Sequence, residues 1–420
     1  MKTLWDLFNY FVFLYPLYMS FVWIIGALLF YWRREMKPRN SDLDTYPSYS
    51  IIVPSHNEEG AIKETIENLR DLDYPSYKVL VVDDGSTDRT AEIIDALADK
   101  YPGWLKAVHL MPNSGKSKAI NAGVLLCEGD LILIVDADCL VDKNILKMMA
   151  WHFAKSPTVG AVTGNPRIRN RTTLLGKIQI GEYSSIIGLI KRAQRILGKI
   201  LTVSGVVASF RKSAFIRCGL FSSDTVTEDI DMTWKLERAG WDVRFEPRAL
   251  AWILTPETIK GLWNQRVRWA QGGMEVMKKH KDIWLHFSEK RLWPVYLEYV
   301  VSIFWAFSVA FMLLSWLAAF VLCHFNIPFI RPICYLVAPS WAGGVLATMC
   351  LIQTLISLYI DSHYESRSLL RYYYWIIWYP FFYWMINAAA ALAGFCNVFI
   401  FRKGVRVTWK SPDRGLQTLR

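Results

Sequence analysis

The chain has 420 residues, of which 53% are hydrophobic and 15% aromatic, with 19 Trp. A mean hydropathy of +0.19 is too apolar for an ordinary soluble enzyme. The formal net charge of +11 invites a nucleic-acid reading. The basic residues, however, crowd beside apolar runs with no base-stacking or groove-reading motif among them, which excludes that class.

Taken in chain order, the first element is an almost uncharged run over 11–32, long enough to cross a bilayer core of roughly 30 Å as a helix. Residues 6–32 are therefore read as a transmembrane helix. The run ends in Arg33-Arg34, with Lys37 and Arg39 beyond, and not in a small-residue cleavage site, so it does not read as a signal peptide. Comparable runs at about 293–323, 333–360 and 374–401 make 292–402 a second membrane-embedded part. Lys278, Lys279, Lys281, Lys290 and Arg291 precede it. Arg402, Lys403, Arg406, Lys410 and Arg414 follow, the last four within a basic tail over 403–420. Basic flanks mark the cytoplasmic side and suit anionic membrane lipid, so residues 33 to about 290 are expected in the cytoplasm. Three C-terminal crossings would then strand the basic tail outside. Either one run lies in the interface or re-enters, or the 370–401 stretch breaks near Pro380. Asp361 and Arg331, near run ends, are almost the only charges in these late runs, which weighs against a transporter. The seven Cys residues form no C-x-x-C pair and read as small buried hydrophobes in a reducing compartment.

Between the membrane parts, residues 48–256 alternate strand and helix. Ser50–Val53 is a β-branched run closed by Pro54, followed by helical spacing from Glu58 to Leu69. Lys78–Val82 is a second strand closed by Asp-Asp-Gly, and Thr87–Leu97 a second helix. Leu131–Val135 is a third strand, ending at Asp136-Ala137-Asp138. This alternation predicts an α/β domain with a mostly parallel sheet and helices on both faces. Ligands in such folds sit outside the carboxyl ends of the strands, where all three strands place polar residues.

Four motifs fall in order along this stretch. Asp83 and Asp84, after a buried-type strand, could accept from a uracil N–H or a ribose hydroxyl, or form an Asx turn. Pro54, Asn57 and Glu58 stand at the preceding strand end, where they either cap a helix or face a ligand. Lys116, in Asn113-Ser114-Gly115-Lys116, is either a phosphate partner or a solvated loop lysine. Asp136 and Asp138, one residue apart, suit one hard cation, Mg²⁺ or Mn²⁺, that also binds phosphate. Asp138 is assigned to the metal and Asp136 to ribose or metal. In Thr227-Glu228-Asp229, Asp229 is the expected general base, with Glu228 and Asp231 near enough to exchange roles; an acid-rich helix start would read the same way. In Gln265-Arg266-Val267-Arg268-Trp269, helical spacing puts Gln265, Arg268 and Trp269 on one face. There Arg268 could stabilise a departing diphosphate and Trp269 wall a sugar ring, within an interfacial segment over 257–290.

With these residues in hand, the chain resembles processive family 2 glycosyltransferases, and within them the bacterial poly-β-1,6-N-acetylglucosamine synthases. Val162–Arg169, Gly181–Arg192, Val203-Ser204-Gly205, Trp252–Thr258 and Ser411–Gly415 carry the narrower resemblance. It implies a GT-A catalytic domain, an inverting mechanism, UDP-N-acetylglucosamine as donor and extrusion of a growing polysaccharide through the membrane helices. On that pattern Asp84 contacts the nucleotide, Asp136 and Asp138 serve donor and metal, and Asp229 is the base. Gln265, Arg268 and Trp269 hold the diphosphate and acceptor end, with Ser204, Gly205 and Glu228 on the acceptor side. Some such relatives use a small two-helix membrane partner.

Overall fold

A computed structural model describes residues 2–37, 40–324, 342–365, 367–377 and 379–401. The basic tail with its Ser411–Gly415 string, and Arg39, Arg331, Cys334 and Arg402, lie outside the described residues.

One mixed sheet of eight strands organises the chain between the membrane parts, in the order β3-β2-β1-β4-β7-β6-β8-β5. The strands are β1 (Tyr49–Ser55), β2 (Tyr77–Asp84), β3 (Leu105–Leu110), β4 (Leu131–Val135), β5 (Leu140–Val141), β6 (Val159–Ile168), β7 (Val207–Arg211) and β8 (Asp242–Ile253). The first four in sheet order are parallel. β7 runs antiparallel to β4 and β6, and β8 runs parallel to β6. β1 and β4 are buried along their whole length. Continuous apolar runs such as Ile51-Ile52-Val53 and Leu131–Val135 are what a strand covered on both faces requires. Each fully buried Ile, Leu or Val there contributes roughly 1.5–3 kcal/mol.

Helices α2 (Ile62–Arg70), α3 (Thr90–Lys100), α4 (Lys116–Leu126) and α5 (Ile145–Lys155) connect the strands. α2 and α3 begin later than the spacing predicts. Asn57 adopts left-handed φ of 56°, and the backbone N–H groups of Asn57 and Glu58 donate to Ser86 Oγ (2.9 Å) and Thr90 Oγ1 (2.7 Å). The polar residues that seemed to open each helix are instead tied to one another across two loops.

α1 (Lys2–Phe30) precedes the sheet; α6 (Leu174–Glu182), α7 (Ile190–Leu197), α8 (Lys212–Arg217), α9 (Glu228–Arg238) and α10 (Ile259–Lys279) complete its surroundings. A π-helical stretch, Tyr183–Leu189, joins α6 to α7. Then come α11 (Trp293–His324), α12 (Ala342–Asp361), α13 (Tyr373–Ile376) and α14 (Tyr379–Phe395). Among the described residues three helical stretches are long and apolar enough to span a membrane: Trp5–Glu35, Trp293–Ala318 and Gly343–Asp361. The 374–401 run is interrupted between α13 and α14, and Met385–Ile400 is a shorter apolar helix. α11 starts beside the sheet's flank, where Trp293 Nε1–H donates to the Ile283 carbonyl (3.1 Å). α12 ends on the sheet domain, at Asp361.

That end is held by a buried ionic cluster. Arg192 on α7 meets Glu35 at 2.7 Å and Asp361 at 2.9 Å. Arg167 on β6 meets Asp361 at 2.7 Å. Tyr364 donates to Glu35 (2.5 Å), and Arg171 pairs with Glu365. The side chains of Arg192, Arg167, Glu35 and Asp361 are at most 2% exposed. Removing one member of such a cluster leaves an uncompensated buried charge, at a cost of about 3–5 kcal/mol. Asp361→Asn is therefore expected to lower the thermal midpoint of the purified protein markedly, measured by intrinsic tryptophan fluorescence. An unchanged midpoint would show that the cluster does not hold α12 to the sheet.

Candidate active site

The carboxyl ends of β1, β2 and β4, the loop entering β7 and the first turns of α9 converge at one edge of the sheet. α10 closes over them. The close approach is made at Gly272: a Cβ there would lie 2.2 Å from Thr227 Oγ1, so α10 can press onto the Thr227-Glu228-Asp229 turn only without a side chain at that position.

Asp83 and Asp84 are buried and used internally. Asp84 accepts from the Ser114 N–H (2.9 Å), the Ser114 hydroxyl (2.8 Å) and the Gly115 N–H (2.7 Å). Asp83 accepts from the Ser86 N–H (3.3 Å) and hydroxyl, and pairs with His109 (3.3 Å). His56, buried beside them, donates through Nδ1 to the Asp84 carbonyl (2.9 Å). Pro54 lies within β1, and Asn57 Oδ1 accepts from the Thr87 N–H (2.8 Å). Glu58 is 3% exposed. The Asp84 carboxylate thus shapes the loop that delivers Lys116, and Asp83 the turn at Ser86.

Lys116, the first residue of α4, reaches Asp136 Oδ1 at 2.5 Å and donates to the Gly205 carbonyl at 3.2 Å. Burial alone would lower its pKa, but Asp136 and Glu228 hold it above its ordinary value. Asp138 is buried in the same turn, which Thr65 steadies by donating to the Ala137 carbonyl (2.8 Å). Among the described residues no group of three or more His, Cys, Asp or Glu could hold a metal ion by itself. Two carboxylates at a strand end nevertheless fit a hard cation that takes its remaining oxygens from phosphate and water.

Glu228 and Asp229 occupy the first turn of α9, and Asp229 packs on Gly205; a Cβ on Gly205 would lie 2.9 Å from Asp229 Oδ2. Burial raises the pKa of Asp229, against the pull of Lys116, Lys191 and Arg268. Burial raises Glu228 likewise, and Asp229 adds to it. Asp231 is different. Burial alone would raise it, but hydrogen bonds from His280 (2.9 Å) and Ser222 (2.6 Å) and the nearby Lys235 and Lys279 hold it well below the usual carboxylate range. Its oxygens are occupied, which separates it from its two neighbours.

On α10, Arg268 is exposed and acts electrostatically on Lys116, Glu228 and Asp229. Trp269 is half-buried, with the Arg266 guanidinium 4.3 Å from its ring centroid. Arg266, buried, pairs with Glu182 at 2.5 Å and donates to Gln265 Oε1 (2.8 Å). Ser204 donates its N–H to Thr163 Oγ1 (2.8 Å), and the buried Lys191 on α7 donates to the same hydroxyl (3.2 Å).

Sequence reasoning singled out neither Arg266 nor Lys191 as a site residue. Arg266 stood in full view beside Arg268, but its partner Glu182 is 84 positions away on another helix. Lys191 sits in an amphipathic helix where a lysine reads as a solvated face. In the fold that face turns inward.

The family model described as Glycosyltransferase like family 2 matches residues 47–272. The chain belongs to this family, and its sheet is the GT-A type. It is 38% identical over 418 residues to the poly-beta-1,6-N-acetyl-D-glucosamine synthase of Staphylococcus epidermidis, covering 97% of this chain and 98% of that relative. It is 37% identical over 416 residues to the synthase of the same name from Staphylococcus aureus strain COL, with 97% and 98% covered. Among solved structures, a mannosyltransferase from Pyrobaculum calidifontis, in complex with GDP-Man and Mn²⁺, superposes with a TM-score of 0.62 at 20% identity. The match covers 93% of this chain and 99% of that one and speaks for the shared fold.

The buried amine yields a prediction. Burial pushes the Lys191 pKa down to about 7, although Asp229 pulls it up. The unfolded chain holds this proton to a higher pH, so the cost of burying the ammonium is full below pH 7 and fades as pH rises toward the ordinary lysine value. Lys191→Met is therefore expected to raise the thermal midpoint at pH 6 and to raise it less at pH 9.5. A midpoint difference independent of pH would show that the amine does not titrate in this range.

Proposed function

We propose that this chain is a membrane hexosyltransferase that polymerises N-acetylglucosamine from UDP-N-acetylglucosamine into a β-1,6-linked chain and passes it through its membrane helices. What supports this most is the pairing of end-to-end similarity to synthases of that product with a single built edge of the sheet. Along that edge stand Asp136 and Asp138, Asp229, and the α10 motif.

In this reading Asp136 and Asp138 hold a Mg²⁺ or Mn²⁺ ion, which supplies charge neutralisation for the diphosphate. Lys116 and Arg268 add cationic charge on the leaving-group side. Asp229, its proton affinity increased by burial, takes the proton of the acceptor hydroxyl as that oxygen attacks C1 of the sugar. The C1–O bond to phosphate breaks, its electron pair leaving on UDP. Attack opposite the leaving group converts an α-linked donor into a β linkage. Trp269, Ser204, Gly205 and Glu228 surround the acceptor end. Gln265, bonded to Arg266 and through it to Glu182, fixes the register of α10. Pro54, Asn57, Glu58, Asp83 and Asp84 form the nucleotide end, the last two by shaping its loops.

We assign the catalytic domain to the cytoplasmic face, where UDP-sugars reside. The Arg33–Lys37 cluster follows α1 on that side; in this reading α11 leaves the domain, α12 returns to it, and the shorter helix over Met385–Ile400 makes no third full crossing.

Asp229→Asn is expected to leave UDP binding, measured by calorimetry, nearly unchanged while slowing polymer formation by about 10²–10⁴-fold. Loss of UDP affinity with turnover preserved would move the residue to the donor site.

Membranes containing the protein, given radiolabelled UDP-N-acetylglucosamine, are expected to form polymer degraded by a β-1,6-hexosaminidase. Chitinase-sensitive polymer would assign a different linkage, and a single-sugar lipid product would deny polymerisation. EDTA is expected to stop incorporation and added Mg²⁺ or Mn²⁺ to restore it; incorporation that survives chelation would remove the metal from the scheme.

A further inference from the structure

A cavity of about 340 Å³ lies away from the catalytic edge, where the chain emerges from α1. Five cationic side chains line it: Arg34 and Lys37 after α1, Arg195 on α7, and Arg244 and Arg248 on β8. Two acids share the lining, and both are engaged. Glu35 is held by Arg192 and Tyr364, and Glu246 by His152 (2.9 Å) and Arg248 (2.9 Å). Arg195 and Arg244 share one further acid, Asp242, at 2.8 Å each. Arg34 and Lys37 are exposed and form no ion pair with any described residue. The cavity therefore carries a clear positive excess, built from three separate segments.

Its position selects the ligand. The span Trp5–Glu35 ends at the cavity's rim, with Trp32 63% exposed one turn before it. A tryptophan at that height marks the headgroup layer, so the basic side chains stand at the level of lipid phosphates. Arginine forks match phosphate oxygens bidentately, and an apolar ligand would leave Arg34 and Lys37 unanswered. We infer that this cavity seats the phosphate headgroup of one anionic phospholipid. One helix borders both places: α7 carries Arg195 in the cavity and, one turn earlier, Lys191 bonded to the Thr163 hydroxyl that holds Ser204. The binding claim stands apart from the transferase reading and is tested without activity.

The full-length protein is reconstituted in nanodiscs of phosphatidylcholine, with or without phosphatidylglycerol at a three-to-one ratio. Retained lipid is then counted by native mass spectrometry after transfer to detergent. The wild type is expected to retain one phosphatidylglycerol. The double variant Arg34→Ala with Lys37→Ala, which disturbs no ion pair, is expected to bind it roughly thirtyfold more weakly, on the scale of two basic residues' attraction to an anionic surface. A control pair on another flank, Lys281→Ala with Arg291→Ala, is expected to retain the lipid as the wild type does. Equal retention by the cavity variant would overturn the site, and equal loss in the control pair would reduce it to general surface attraction. Displacement of the lipid by millimolar glycerol phosphate or inorganic phosphate would overturn the lipid assignment in favour of a soluble phosphate ligand.

Discussion

A folded sheet and a set of membrane helices have no inherent reason to keep a fixed relation, and here the relation is set by charge. Arg192 sits between Glu35, at the end of the first apolar helix, and Asp361, at the end of a late one, while Arg167 from the sheet shares Asp361. Two arginines and two carboxylates removed from water would each cost several kcal/mol alone. They are tolerable only together, so segments far apart in sequence must meet at one point. The meeting is selective where an apolar contact would not be, because a slip of one helical turn leaves four charges unmatched. A second contact joins the two parts where α10 and α14 press together at Gly394 and Gln271.

The second constraint is steric. Gly272 and Gly205 remove the bulk that would otherwise separate α10, the α9 turn and the loop before β7. Ionic matching places the large bodies, and two missing side chains let the α9 turn close on α10 and on the loop before β7. Lys116 completes the arrangement by spanning from Asp136 to the Gly205 carbonyl, so the acid after β4 and the loop before β7 share a single ammonium.

Much of this was legible in the sequence because its strands are buried on both faces. Ile51–Val53 and Leu131–Val135 are unbroken apolar runs, and the acids that follow them stand where the topology gathers ligands. Helix starts were less legible: Asn57, Glu58 and Thr87 look like caps, yet they bond across loops 30 residues apart, which local spacing does not encode. The late apolar runs were visible as hydropathy, but composition alone could not separate a span from the shorter helix over Met385–Ile400. The roles of Arg266 and Lys191 depend on Glu182 and Thr163, which the chain brings near only by folding. An amphipathic pattern says that a face exists and leaves open what it meets.

The saturation of Asp84 has a consequence for how the chain tolerates change. Its two oxygens receive three donors from Ser114 and Gly115. Asparagine, nearly the same shape, would turn one acceptor oxygen into an N–H₂ group facing donors, so one end of the clamp would repel where it had attracted. The loop ahead of α4 would lose its seat, and the ammonium of Lys116 would drift from Asp136 with no alteration at either residue. Position 84 thus governs the polarity around Lys116 and Asp136 from a distance, as a keystone whose removal is felt first in the span it supports.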